Sequence, residues 1–352
     1  MFKIKIGLDW DDVVAPFNSI AINMANEKYP ERFKTPLTLE DIDSWENTGR
    51  ASVIHEFYGK TELYERQAVS MPQKNIDAVR ELEKFADVYF ITAVYQPFMS
   101  MRAKLIQETF PELGPERIIL GAAKSLVRFD VILDDNICNV LDSKADYPVL
   151  MRKPWNKQMT GLLSVNNLEE FVSLTKHIIG KDTEIDTKKP RVIALVGPSG
   201  SGKNKIADEL SALEGYETVR GYSTKENSGR YTYIPPKEFA KRSFFEHTYY
   251  AGYEYGTSYE EIVAILQRGH NVVLVLDMCG AIGMKMRFPT TIVYVKRNKV
   301  ELVRAILEDD VDTEEKTLRL LSIETEKKNE DLCDMTAESA EEIANAECIK
   351  VA

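Results

Sequence analysis

Residues 191–210 read "RVIALVGPSGSGKNKIADEL". An apolar run to Val196 predicts a strand, a glycine-rich turn follows, and a helix then carries Ile206, Leu210 and Leu213 on one face. That context makes GxxxxGK a phosphate-cradling loop and sets this half of the chain as an α/β nucleotide-binding domain. Gly197, Gly200 and Gly202, with Ser199 and Ser201 between them, let backbone N–H groups turn inward on the phosphates of ATP, and Lys203 reaches the outer ones. The next position ordinarily carries a hydroxyl that touches magnesium. Asn204 stands there instead, with a carboxamide oxygen on a longer arm that reaches the metal directly or through one water. Nucleotide binding is therefore expected, and phosphoryl transfer turns on whether Asn204 serves the metal.

Outward from this loop, "KDTEIDTKKP" (181–190) is charged, lacks apolar periodicity and ends in proline, which reads as a linker between domains 1–180 and 191–352. Just before it, Asn167 as N-cap, Glu170 three residues on, an apolar stripe and Gly180 as the stop predict a helix that closes the first domain. The chain of 352 residues is long enough for two cores. No stretch approaches the about 20 consecutive apolar residues of a membrane span, and the N-terminus runs straight into a strand, so a cytoplasmic protein is expected, in the host cytoplasm if viral. Four dispersed cysteines and four dispersed histidines support neither disulfides nor zinc. A net charge of −11 argues against stable binding to nucleic acid and favours small phosphorylated partners.

In the first domain "KIKIGLDWDD", "ADVYFITA" and "FDVILDDN" are β-rich runs ending in polar residues, with the helical "PFMSMRAKLIQETF" between the second and third. Alternating strand and helix implies a parallel sheet, whose ligands sit beyond the carboxyl ends of the strands. Asp9, Asp11, Thr92, Asp134 and Asp135 would converge there. Residues 18–71, rich in aromatics and charges, read as an inserted helical cap. Clustered carboxylates repel unless a cation neutralises them, and magnesium suits hard oxygen ligands. An uncoordinated Asp would remain as nucleophile or proton shuttle. An acidic helix around "ESAEEIANA" near the C-terminus reads as a solvated face.

The combination "DWDDVV", a strand-end Thr92, then Lys124 before "DVILDDN", resembles the haloacid dehalogenase-like phosphohydrolases. The cap placed directly after the first motif and the later "MRKPWN" resemble their 5'(3')-deoxyribonucleotidase branch. The resemblance implies a Rossmann-like domain with a small cap. It also implies Asp9 as the nucleophile that forms an aspartyl-phosphate, and Asp11 as acid and then base. Thr92 and Lys124 would hold the phosphoryl group, and magnesium would lie on Asp9, Asp134 and the Asp11 carbonyl, with Asp135 in support.

Downstream, "YSTKENSGRYTYIPPKEF", "FFEHTYYAGYEYGTS" and "NVVLVLDMCGA" resemble the guanylate kinase family in order and spacing. That resemblance implies an acceptor monophosphate on Tyr231 and Tyr255, and a base read by Glu246, Thr257 and Asp277. A buried carboxylate accepting two hydrogen bonds suits guanine, while Asp277 read alone is also a metal-supporting acid at a strand end. Departures are visible. Lys225 and Arg230 stand where the family has acceptor-phosphate arginines, and Asp309 and Asp310 in "LEDDVDTEE" replace a basic lid, with Arg319 near a second arginine position. The sequence thus reads as a magnesium-dependent nucleoside monophosphate phosphatase joined to an ATP-dependent nucleoside monophosphate kinase. Its rivals are a polynucleotide end-healing enzyme and a phosphatase with a nucleotide-sensing module. Oligomeric state is not legible.

Overall fold

The computed structural model describes residues 3–349 except 158, 160, 181–189, 220, 227–230, 243 and 251. The chain forms two compact units, Met1–Asn156 with Leu163–Val172, and Lys157–Leu162 with Ser173–Ala352. Apart from Pro190, the expected linker lies outside the described residues.

The first unit runs β1 (Ile4–Leu8), α1 (Asn18–Lys28), α2 (Thr61–Val69), α3 (Gln73–Glu83), β2 (Ala86–Thr92), α4 (Met99–Thr109), β3 (Ile118–Leu120), β4 (Val131–Asp134), α5 (Ile137–Asp142), β5 (Tyr147–Met151) and β6 (Leu163–Val165), and α6 (Leu168–Ile179) follows. Its six strands are all parallel in the order β3-β2-β1-β4-β5-β6. The continuous burial of Ile6, Gly7 and Leu8 in β1 and of all of β4 is that of strands covered on both faces. Gly7 is required at the sheet centre, because a Cβ there would meet the Phe129 ring at 2.6 Å. β1 pairs with β2 on one side and β4 on the other, so the connections diverge there and open a crevice at their carboxyl ends.

Residues 18–71 hold two α-helices, α1 and α2, with two 3₁₀ segments between them. Leu39–Asp41 and Arg50–Phe57 are 3₁₀ segments, and in the second Ala51, Ile54 and Phe57 are buried at a spacing of three, the period of that helix. With Ile20, Ile22 and Leu63 they form a core cluster that also takes in Phe98 and Trp155 from outside the cap. At the start of α6 the Asn167 side chain accepts the Glu170 N–H at 2.9 Å, and Glu170 returns a bond to the Asn166 N–H at 2.7 Å.

The second unit contains β7 (Val192–Val196), α7 (Lys203–Ser211), β8 (Tyr216–Thr218), β9 (Tyr222–Ser223), β10 (Thr232–Tyr233), α8 (Pro236–Phe239), β11 (Glu246–Tyr250), β12 (Tyr253–Thr257), α9 (Tyr259–Gln267), β13 (Asn271–Val275), α10 (Met278–Lys285), β14 (Thr290–Val295), α11 (Lys299–Glu308), α12 (Thr313–Lys327), β15 (Met335–Ala337) and α13 (Ala340–Ile349). A parallel sheet β15-β14-β7-β13-β8 carries the phosphate loop at the end of its central strand, and a separate four-stranded sheet β10-β9-β12-β11 stands apart from it. Two expectations need correction. Helix α7 ends at Ser211, so Leu213 lies past its cap and is 43% exposed, the chain turning at Gly215 with φ 82°. The acidic C-terminal helix is not merely a solvated face: Ala340 and Ile343 pack with Ile206 and Leu210.

Candidate functional site

At the mouth of the first sheet, Asp9 follows β1, and its N–H bonds the Leu133 carbonyl at 2.9 Å, which ties the loop to β4. Oxygens of Asp9, Asp134 and Asp135 lie within 4.8 Å of one another, and all three residues are buried. Lys124, itself buried, donates to Asp134 at 2.6 Å and pairs with Asp9 at 2.8 Å. Burial works against its charge, but Asp9 and Asp134 outweigh it and hold the ammonium above its ordinary range. Burial, with the Asp9 charge adding and Lys124 opposing, pushes Asp134 up to about 6. Asp135 is raised well above the usual carboxylate range by burial and then by Asp134 and Asp9. One lysine against three carboxylates leaves the cluster short of positive charge. That is the donor set and deficit a small divalent cation with oxygen ligands fits.

Asp11 is not in that group. Its carboxylate accepts from Arg102 at 2.8 and 3.0 Å and from Gln67 Nε2 at 2.8 Å. Burial raises its pKa, Arg102 opposing and Asp9 adding. Thr92, fully buried at the end of β2, accepts from Arg102 at 2.8 Å. The neighbouring Asp12 has φ 57° and accepts the N–H groups of Phe17 and Asn18 at the start of α1, which fastens that helix to the loop after β1. Burial pushes Asp12 up to about 6, with Lys153 opposing. Trp155 donates to Asp135 at 3.0 Å, and Asn156 Nδ2 donates to the Asp135 carbonyl at 2.8 Å. The "MRKPWN" stretch therefore braces the acidic pair from behind.

In the second unit Gly197, Gly200 and Gly202 all have positive φ, and at Gly197 a Cβ would meet the Val295 carbonyl at 2.9 Å. Lys203 opens α7 and donates to the carbonyls of Gly197 and Pro198. Burial pushes its ammonium down to about 8, with Glu326 opposing. Ser199 lies in the turn, Ser201 is buried with no hydrogen-bond partner for its hydroxyl among the described residues, and Asn204 is exposed on the first turn of α7. Arg297, after β14, donates to the Gly200 carbonyl at 2.9 Å.

Lys225 meets both oxygens of buried Glu315 at 2.8 and 2.9 Å, and Arg319 binds Glu315 and Asp309. The acidic segment 307–315 thus supplies the partners of both Lys225 and Arg319. The rings of Tyr231 and Tyr255 meet edge-on at 4.9 Å, and burial, then the Glu315 charge, pushes Tyr255 up to about 12. Glu246 stands opposite Thr257 in the β11–β12 register. Asp277 caps α10, one oxygen accepting the Gly280 N–H at 2.7 Å and the other accepting from Thr248. Arg230 lies outside the described residues.

Sequence reading missed Arg102, Gln67, Trp155's bond to Asp135, and Glu315. A signal existed for the first two. Arg102 shares a helical face with buried Leu105 and Ile106, and Gln67 shares one with buried Leu63 and Tyr64, so each is a polar residue in an apolar stripe.

The family model described as 5' nucleotidase, deoxy (pyrimidine), cytosolic type C protein matches residues 3–181, and the guanylate kinase model matches residues 189–337. The 5'(3')-deoxyribonucleotidase of Bacillus subtilis is 27% identical over 173 residues, 48% of this chain and 96% of that protein. The guanylate kinase of Chlorobaculum tepidum is 30% identical over 139 residues, 36% of this chain and 71% of that protein. The guanylate kinase of Deinococcus radiodurans is 32% identical over 106 residues, a match that spans only 44% of that relative and 27% of this chain.

Proposed function

We propose, for a chain that belongs to the deoxy 5'-nucleotidase family over residues 3–181 and to the guanylate kinase family over residues 189–337, that it both removes and adds phosphate on nucleoside monophosphates. The observation that carries the phosphatase half is Lys124 shared between Asp9 and Asp134 at the sheet mouth. Asp9 attacks phosphorus and the bond to the 5'-oxygen breaks, giving an aspartyl-phosphate. Asp11 donates a proton to the leaving nucleoside oxygen, then takes one from the water that releases phosphate. Lys124 balances charge as an anionic nucleophile meets an anionic substrate, and Thr92 at the end of β2 helps hold the phosphoryl group. Asp9, Asp134 and Asp135, with the Asp11 carbonyl, would hold magnesium, which when bound neutralises the phosphate oxygens.

In the second half the loop 197–203 would hold ATP and the β9–β12 surface the acceptor. A panel of ribo- and deoxyribonucleoside monophosphates, with and without ATP and magnesium, scored for nucleoside and diphosphate products, tests both activities. One monophosphate serving both halves would only hydrolyse ATP. The expected result in competition is therefore two different base rankings, one nucleotide withdrawn from a pool and another advanced, as suits a virus that biases a DNA base. Identical rankings would remove that rationale.

A second reading, a phosphatase with a nucleotide-sensing module, draws on Glu315 occupying Lys225 and Arg319 and on Asn204 in place of a hydroxyl. Asn204→Ser separates the two. If asparagine handicaps the metal, the serine variant transfers phosphate about tenfold faster at limiting magnesium. An unchanged or slower rate makes Asn204 a competent part of the site.

A further inference from the structure

We propose that Arg102 is the positioning residue of the phosphatase acid–base step, and that the cap reaches Asp11 through it. The proposal rests on the phosphatase reading above. One guanidinium nitrogen holds both Asp11 oxygens at 2.8 and 3.0 Å, and the other donates to Thr92 at 2.8 Å. Arg102 is 1% exposed, so the fork is locked by packing, and its planar geometry fixes the angle between the carboxylate and the threonine hydroxyl.

The cap completes the lock from one face of α2. Gln67, fully buried, donates to Asp11 at 2.8 Å and to the Pro16 carbonyl at 3.1 Å, while its own carbonyl oxygen lies 3.4 Å from the guanidinium. Tyr64, one turn earlier, lies under the guanidinium at 5.8 Å and stacks on Phe98 at 4.2 Å. A buried arginine needs an anion, and a lysine would satisfy charge alone. A lysine ammonium could not span Asp11 and Thr92 in this fixed geometry. Arg102 therefore sets where the Asp11 oxygen points, and the seating of α2 decides whether that oxygen faces the leaving group.

The test uses the full chain with magnesium and compares a deoxyribonucleoside monophosphate with 4-nitrophenyl phosphate, whose phenolate leaves without a proton. Arg102→Lys is expected to lower kcat/KM for the nucleotide about 10²-fold while lowering that for the aryl ester less than about fivefold, since kcat/KM reports the first transfer, where only the nucleoside needs an acid. Gln67→Leu, which leaves Arg102 in place and carries the test if the lysine variant does not fold, is expected to show the same contrast at about tenfold. Equal losses on the two esters, or no loss, would overturn the proposal and leave Arg102 a purely structural cation. Failure of the unsubstituted chain to hydrolyse either ester would instead remove the phosphatase reading, and the proposal with it.

Discussion

Asp9→Asn is expected to abolish phosphate release from nucleotide substrates, a loss of about 10⁴-fold or more, while the protein keeps its fold. The carboxylate accepts the Trp10 N–H at 2.7 Å and pairs with Lys124 at 2.8 Å. An asparagine oxygen can keep the first contact, and Lys124 retains Asp134. What disappears is the nucleophile, together with one negative charge from a cluster of three buried carboxylates. Relief of that repulsion predicts a Tm unchanged or slightly raised, so catalysis and stability move in opposite senses. Phosphate release at the unsubstituted rate would sink the nucleophile assignment. A collapse of Tm would mean instead that Asp9 is needed for Lys124 to stay buried.

Much of this site is written locally. Asp9, Asp11, Thr92, Asp134 and Asp135 each sit at or just past the end of an apolar run, and a parallel sheet gathers strand ends into one crevice whatever the loops between them do. The phosphate loop is legible for the same reason, since its strand, turn and helix are contiguous. Arg102 and Gln67 were legible only as polar residues in helical apolar stripes. That pattern says they are buried but not that they meet, because Gln67 is 56 residues from Asp11 and Arg102 is 91. The Lys225–Glu315 pair spans 90 residues and left no periodic trace at all. Leu213 and the C-terminal helix fail differently. Each extends a correct local pattern past the point where tertiary structure decides, at a Gly215 turn in one case and at a core on α7 in the other.

Lys203→Met is expected to weaken ATP binding and lower any phosphoryl transfer by about 10³-fold, leaving nucleotide hydrolysis by the first half unchanged. The lysine does two things at once. Its ammonium bonds the Gly197 and Pro198 carbonyls, which holds the loop curved before nucleotide arrives, and burial presses its pKa down to about 8. A polyphosphate entering the loop adds negative charge beside this half-buried cation, so part of the binding energy comes from relieving the lysine's own desolvation. Methionine keeps the aliphatic stem but leaves two carbonyls without their donor and the outer phosphates without a counter-charge. Calorimetric titration with ADP and with ATP separates these effects. If the counter-charge dominates, ATP loses more affinity than ADP. If loop shape dominates, both fall together. Unchanged affinity for both would remove the phosphate-loop assignment. Loss of phosphatase turnover in the same variant would show that the two units, each with its own sheet and core, are nevertheless energetically coupled.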